Sequence, residues 1–284
     1  MTTLTLAASA AAAEPRARFR DLIAAEWIKL WSLRSTYWVL GIGALVVIGI
    51  NVNSAQSNAD RLAHLPPPPD DLEPYMRFDP LQTAFVDPAW QIFMVIAGSV
   101  GAIAVFGEYT SGLARTTFAA VPDRRAVVLA KVTVVVAVML VLGTVVSGAS
   151  FGVTQAILRE HGGLSLGDPG ALRAVAAGAL LAPLCALVGM AVGALVRHAT
   201  GTVVTTLVTL LLLPALFQGE TYRWVKEIGN AMPLTAWQEL VVNPSIPFPQ
   251  DRYPVSVTEA WIVFAVWPLV AVAVTVVTVH RRDL

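Results

Sequence analysis

The chain has 284 residues, of which 56% are hydrophobic and only 13% are charged. A soluble domain is typically about 45–50% apolar and about 25% charged, so this chain has too few charged residues for a soluble enzyme. Its high hydrophobicity also excludes intrinsic disorder. The 19 basic and 19 acidic residues balance, which argues against a nucleic-acid partner. The single cysteine, Cys185, excludes an intramolecular disulfide and a multi-cysteine metal site. The composition therefore predicts an integral membrane protein.

The N-terminal segment contains an apolar stretch from Leu6 to Ala13, and the first arginines follow it. A signal peptide has its basic residues before the apolar core. We therefore interpret residues 1–14 as a disordered cytoplasmic tail and residues 15–284 as a single membrane domain.

The stretch from Pro15 to Arg34 predicts an amphipathic helix that lies in the membrane interface, with Trp27 and Trp31 at the level of the lipid headgroups. Glu26 falls inside the apolar stripe of this helix. A carboxylate there needs a partner, which is either Lys29 or a basic group on another chain. The stripe itself consists of Phe19, Leu22, Ile23, Trp27, Leu30 and Leu33.

Six segments are long and apolar enough to cross the ~30 Å hydrocarbon core of a bilayer. Prolines at 183, 214 and 268 fall inside them and predict kinks rather than breaks, because neighbouring helices can satisfy the freed carbonyl groups. The sequence thus predicts an all-α membrane protein with six transmembrane helices. The segments are residues 36–53, 89–107, 126–151, 172–196, 200–217 and 258–279.

The distribution of charge predicts the orientation of these spans. If the N-terminus is cytoplasmic, the inner segments hold 12 basic and 6 acidic residues, and the outer segments hold 7 basic and 13 acidic residues. Cytoplasmic loops carry the excess of Lys and Arg, so both termini are expected in the cytoplasm. Alanine- and valine-rich spans with few lysines are typical of a GC-rich bacterial genome, and we expect a bacterial plasma membrane.

Two connecting segments differ in character. The outer segment 54–88 contains the run Pro66–Pro69 and several acidic residues, which favours a solvated spacer over a ligand-binding loop. The cytoplasmic segment 107–131 contains a short helix over 111–120, a stop at Pro122 and a basic group that includes Lys131. By composition alone, this basic group is explained by the positive charge expected next to span ends.

The sequence contains few candidates for chemistry. It has no G-x-x-x-x-G-K-[ST] phosphate loop and no H-E-x-x-H motif, and no nucleophile–base pair or metal cluster is evident, so we expect neither an enzyme nor a metal site. The middle of each span is uncharged, unlike the spans of ion-coupled transporters. Lys131, Arg173 and Glu259 lie near span ends, where they are expected to snorkel or face water.

The fifth span carries four threonines on one helical face. This face either packs against another helix through hydroxyl hydrogen bonds or lines a substrate pathway, and the sequence does not separate the two alternatives. The threonines are Thr202, Thr205, Thr206 and Thr209.

Two cytoplasmic stretches resemble the permease subunit of type-2 ATP-binding-cassette (ABC) transporters, the mainly exporting class. The span count, the long first outer loop and the missing ATPase motif agree with this resemblance, which covers nearly the whole chain. The first stretch is Glu26-Trp27-Ile28-Lys29-Leu30 with Ser32, Arg34, Ser35 and Thr36, and the second is Gly107-Glu108-Tyr109 with Gly112, Arg115-Thr116-Thr117, Pro122, Arg124 and Ala130-Lys131.

The resemblance implies that two permease copies form the substrate pathway above two separate ATPase subunits, which bind ATP and Mg²⁺. We expect a homodimer, and the sequence leaves a heterodimer with a related permease open. The resemblance further implies short outer helices within 219–242, between the fifth and sixth spans. An ATPase-independent channel or facilitator is the alternative, and the sequence does not name a substrate. Implied ATPase contacts are Glu26, Lys29 and Arg34 before the first span, and Glu108, Arg115, Arg124 and Arg125 between the second and third spans.

Overall fold

A computed structural model describes residues 18–64, 78–121, 123–246 and 252–281, and these residues contain twelve α-helices and no β-strand. The predicted tail over 1–14, the proline run and Pro122 lie outside the described residues. The helices are α1 (Phe19–Ser32), α2 (Arg34–His64), α3 (Pro80–Ala84), α4 (Asp87–Thr110), α5 (Leu113–Ala120), α6 (Arg124–Ile157), α7 (Ala171–Val196), α8 (Ala199–Leu207), α9 (Leu213–Leu216), α10 (Arg223–Asn230), α11 (Pro233–Val241) and α12 (Val257–Arg281).

Six helical segments are long and apolar enough to cross a membrane, which confirms the predicted all-α membrane fold. They are α2, α3 with α4, α6, α7, α8 with α9, and α12. The first span is longer than predicted, because α2 continues from residue 53 to His64. Residues 54–64 contain neither glycine nor proline, so nothing in this stretch stops the helix.

Helix α7 is the centre of the bundle. It packs against α4, α6, α8, α11 and α12, and 78% of its most apolar stretch of 18 residues is buried. Close approach to α4 requires glycine: a Cβ at Gly101 would lie 1.8 Å from the carbonyl oxygen of Ala186, and one at Gly189 would lie 1.9 Å from that of Gly98. Small residues let helix backbones approach in this way inside membranes.

The three prolines in the spans do not end them, as predicted. Helices α7 and α12 continue through Pro183 and Pro268. In the fifth span a π-helical turn over Val208–Leu212 lies between α8 and α9, directly before Pro214. Wider turns of this kind accommodate a proline whose ring would otherwise clash with the preceding turn.

The turn between the fourth and fifth spans is tight, because only Arg197 and His198 lie between α7 and α8. Arg197 ends α7 in the left-handed region at φ 56°. His198 follows, and its Nδ1 accepts a hydrogen bond of 3.3 Å from the backbone N–H of Gly201 in the first turn of α8.

The interpretation of 54–88 as a solvated spacer is wrong for residues 78–88, whereas most side chains of 54–64 are exposed. Helix α3 is buried in the bundle, and Asp79 caps it by accepting a hydrogen bond of 2.8 Å from the N–H of Leu81. The Asn243 amide donates to the same carboxylate at 3.1 Å, and the Gln155 amide donates to the carbonyl of Pro80 at 2.7 Å. The prolines and acidic residues suggested a spacer, but the apolar stretch after Asp79 gains more from burial.

Two short helices, α10 and α11, lie between the fifth and sixth spans, as the resemblance implied. The indole of Trp237 on α11 is fully buried and stacks on Trp90 of α4 at 5.6 Å between ring centroids. Arg173 at the start of α7 donates from Nε to the carbonyl of Leu240 at 3.0 Å, and from Nη2 to the carbonyl of Val242. Arg173 was expected to snorkel or face water; it is half-buried, and its guanidinium in addition caps the end of α11, which the sequence did not predict.

Candidate functional site: a buried ion-pair cluster

Four charged side chains from three helices meet at one end of the bundle, and we name them the ion-pair cluster: Glu26, Lys29, Glu108 and Lys131. The Lys29 Nζ lies 2.7 Å from Glu26 Oε1 and 2.9 Å from Glu108 Oε1. The Lys131 Nζ lies 2.9 Å from Glu108 Oε1 and pairs with Glu26 Oε2. Each ammonium thus contacts both carboxylates, so the four charges close a ring with no net charge.

The ion-pair cluster is largely withdrawn from solvent. The side chains of Glu26, Lys131 and Glu108 are 5%, 10% and 14% exposed, whereas that of Lys29 is 32% exposed. Burial lowers the pKa of Lys29, but the hydrogen bond to Glu26 and the charge of Glu108 outweigh it, so the pKa lies above its ordinary value. Buried charges require this pairing, because an ion taken out of water alone is strongly unfavourable.

The packing of α1 on α6 places the ion-pair cluster. Leu22 of α1 packs in a small apolar group with Val127 and Ala130 of α6. Glu26 follows Leu22 by one helical turn and therefore faces the same helix, beside Lys131. Glu108 enters from the last turn of α4. The apolar contact thus sets the register, and the charged groups meet where the three helices converge.

The elbow between α4 and α5 lies beside the ion-pair cluster. The chain turns at Gly112, whose φ of 75° favours glycine, and α5 begins at the next residue, inside the predicted range of 111–120. The guanidinium of Arg197 stacks over the ring of Tyr109 at 4.4 Å from its centroid. This cation–π contact joins the turn between the fourth and fifth spans to the elbow. An open cavity of about 430 Å³ lies between Arg197, Gly112 and Arg115.

The residues predicted to contact an ATPase fall into two groups. Glu26, Lys29 and Glu108 come together in the ion-pair cluster. Arg34, Arg115 and Arg125 are instead exposed at the same end of the bundle. Arg124 is half-buried, and its guanidinium lies 5.5 Å from the centroid of the Phe118 ring on α5.

Three residues of this region were missed as site residues from the sequence. Lys131 was expected to snorkel or face water, and this is wrong because it is buried against Glu26 and Glu108. Arg197 and Tyr109 carried no site prediction at all. Glu26 within an apolar stripe was the available signal, since it required a cationic partner, and Lys29 was correctly named as one.

The threonine face of the fifth span divides into two. Thr202 and Thr206 are buried, and the methyl group of Thr206 packs against Gly98 of α4. Thr205 is exposed and Thr209 is half-buried. The hydroxyls of Thr206 and Thr209 donate to the carbonyls of Thr202 and Thr205 in their own helix, both at 2.8 Å, and not to another helix. The pathway function of these threonines stays a prediction.

The part of the chain that the structure describes holds no group of three or more His, Cys, Asp or Glu side chains that could bind a metal ion. The ion-pair cluster contains two carboxylates, but both are neutralised by lysines, so it offers a cation no open ligand. Its arrangement joins three helices through paired charges.

Comparison of the chain with known protein families finds no matching family model, and comparison with curated proteins finds no significant match.

Proposed function

We propose that the chain is the permease subunit of an ABC transporter of the exporting type, driven by a separate ATPase subunit. The observation that carries this proposal is the ion-pair cluster. The two segments that carry the sequence resemblance lie far apart in the chain, and their charged residues meet in this cluster. Exposed arginines lie beside it on α2, α5 and α6, as a protein partner at this end of the bundle would require.

Separate docking and transmission roles follow from the two groups of residues. Arg34, Arg115 and Arg125 are exposed, so they are available to acidic groups of an ATPase. Lys131 is buried and the Glu108 side chain is only 14% exposed, so these two residues act on the spans instead. A force on α5 reaches α4 through the elbow, and the ion-pair cluster makes α1 and α6 move with it.

The energy of separation explains why these helices would move as a unit. Removing one partner from a buried ion pair costs about 3–5 kcal/mol, because the remaining charge stays buried without compensation. If α1, α4 and α6 tilt together, the four charges stay paired and this cost is avoided. ATP binding can then shift the bundle only if the docking residues bind one state of the ATPase better than the other.

The remaining parts of the proposal concern orientation, assembly and pathway. The end that holds the ion-pair cluster would face the cytoplasm of a bacterial plasma membrane, with ATP and Mg²⁺ bound by the ATPase and not by this chain. Two copies would enclose the pathway. Of the four threonines, Thr205 and Thr209 are the ones whose exposure fits a surface shared by two copies.

The experiment separates docking from transmission in the purified complex with its ATPase. The double variant Arg115→Ala/Arg125→Ala should lose the ATPase on purification. Lys131→Met should keep the ATPase bound but lose the stimulation of transport by ATP. Arg223→Ala removes an equally exposed arginine from α10 and should change neither property.

Two outcomes would contradict the proposal, and the control variant checks the assay. The docking role is wrong if the double arginine variant retains its ATPase. The transmission role is wrong if Lys131→Met transports like the parent protein. Loss of the ATPase in Arg223→Ala would show that the assay reports general damage rather than docking.

A further inference from the structure

An apolar cavity of about 320 Å³ adjoins the ion-pair cluster on the side of α2. Its charged end is formed by all four residues of the ion-pair cluster, and its long wall is apolar. The volume lies at the lower end of the range of about 300–1,000 Å³ that is typical of small-molecule sites. The apolar wall includes Val39 of α2, Val100 and Ile103 of α4, and Val135 of α6.

The cavity extends from the charged end towards the middle of the membrane spans. Val100 precedes Glu108 by two helical turns, which corresponds to roughly 12 Å along α4. Val39 and Ile103 are 43% and 45% exposed, so the cavity is open on its side. At this depth the surroundings of a membrane protein are hydrocarbon rather than water. A flexible apolar chain therefore fits the wall better than a polar solute does.

Aromatic residues mark the level of the charged end. The rings of Trp31 and Tyr37 lie 4.8 Å apart between centroids, and Trp27 packs on Trp31 at 5.6 Å. Trp and Tyr are enriched at the level of lipid headgroups. The cavity thus starts at the depth where a phospholipid changes from headgroup to acyl chain.

The charged end can accept an anion. The ammonium of Lys29 has three N–H donors, of which two are used by Glu26 and Glu108, and its side chain remains 32% exposed. Exposed Arg34, at the start of α2, adds a positive charge between Leu33 and Ser35, which both line the cavity. Because the ion-pair cluster itself is neutral, this additional cation makes the site complementary to a phosphate with net negative charge.

We propose that this cavity holds one acyl chain of an anionic phospholipid whose phosphate lies at Lys29. A second copy of the chain is the competing occupant of such an open apolar surface. The proposal goes beyond the ABC-transporter function and does not depend on it, because the lipid is bound by this chain alone and its binding is measured without an ATPase.

The test compares lipid binding in two variants with the same substitution on one helix. Val39→Trp fills the cavity, whereas Val46→Trp lies one heptad further along α2 and does not line it. The two valines are 43% and 41% exposed, so the substitutions are closely matched. Native mass spectrometry of the full chain in mild detergent counts bound phosphatidylglycerol or phosphatidylcholine with identical acyl chains, together with the number of protein copies.

The parent protein and Val46→Trp should each retain one phosphatidylglycerol per chain under conditions that remove phosphatidylcholine. In Val39→Trp the retention should fall by about tenfold or more. Ala104→Leu, a smaller substitution in the same cavity, provides the same comparison if Val39→Trp does not fold. If the two tryptophan variants retain phosphatidylglycerol equally, the cavity is not the lipid site. If the parent protein retains phosphatidylglycerol and phosphatidylcholine equally, a net negative headgroup is not what the site recognises. A parent dimer without bound lipid that dissociates on Val39→Trp assigns the cavity to a second copy instead.

Discussion

Replacement of Lys131 by methionine tests the energetic role of the ion-pair cluster. Methionine keeps the length of the apolar stem but removes the ammonium that contacts both carboxylates. Glu26 and Glu108, at 5% and 14% exposure, would then share only Lys29. Loss of one partner from a buried ion pair costs about 3–5 kcal/mol. We expect the free energy of unfolding to fall by this amount, with the lower end reached if one carboxyl takes up a proton.

The free energy of unfolding is measured on the purified protein in mixed detergent micelles. A second experiment measures hydrogen exchange of the backbone amides of α1. The double variant Glu26→Gln/Lys131→Met removes one charge of each sign, so it should be less destabilised than the sum of its single variants. Glu227→Gln is the control, because its partner Arg223 lies 2.7 Å away but the pair is 74% and 56% exposed. Exposed pairs contribute little, and we expect no measurable change. If Lys131→Met is no more destabilising than Glu227→Gln, the ion-pair cluster does not hold α1 on the bundle.

Three further predictions concern the bundle core, the pH dependence of stability and the attachment of α11. Gly189→Ala places a methyl group against the α4 backbone. In the same unfolding assay, it should lower the free energy of unfolding by about 1–3 kcal/mol or more. Unchanged stability would contradict the close packing of α4 and α7. Because the pKa of Lys29 is raised, its contribution to stability is complete at neutral pH and is lost as the pH rises above about 10.4, so the free energy of unfolding should decrease there. Lys29→Met should abolish this decrease, and a decrease that persists belongs to another group. Arg173→Gln removes the charged donors to the carbonyls of Leu240 and Val242, each of which contributes about 1.5–3 kcal/mol as a hydrogen bond. The backbone amides of α11 should therefore exchange hydrogen faster than in the parent protein. Amide protection equal to that of the parent would refute the capping role.

The number and order of the spans could be predicted from the sequence, because hydrophobicity over about 20 residues is a local property. Lys29 as a partner of Glu26 was predictable for the same reason, since the two are one helical turn apart. Lys131 lies 105 residues from Glu26, and nothing in a single sequence specifies which distant lysine completes the pairing. Its position near a span end suggested a solvated group, but the convergence of α1, α4 and α6 buries it.

Two other differences between the sequence-based expectations and the structure also arise from tertiary contacts. Helix α3 was assigned to a spacer because its neighbours are rich in proline and acidic residues, yet Asp79 is held by Asn243 from the far end of the chain. The threonines of the fifth span share a face by helical spacing, but only Thr202 and Thr206 are buried, and Thr206 packs against Gly98 of α4. Local patterns predict which residues share a face, whereas the partner of that face depends on packing.

We propose that a separate ATPase drives this chain from the end that holds the ion-pair cluster. The decisive measurement is purification of the tagged chain from its native membrane in mild detergent, with identification of the co-purifying chains and an assay of ATP hydrolysis. We expect a stoichiometric ATPase subunit with a phosphate loop, released by Arg115→Ala/Arg125→Ala. A chain that purifies alone and without ATP hydrolysis would refute the ATPase-driven mechanism and favour a facilitator.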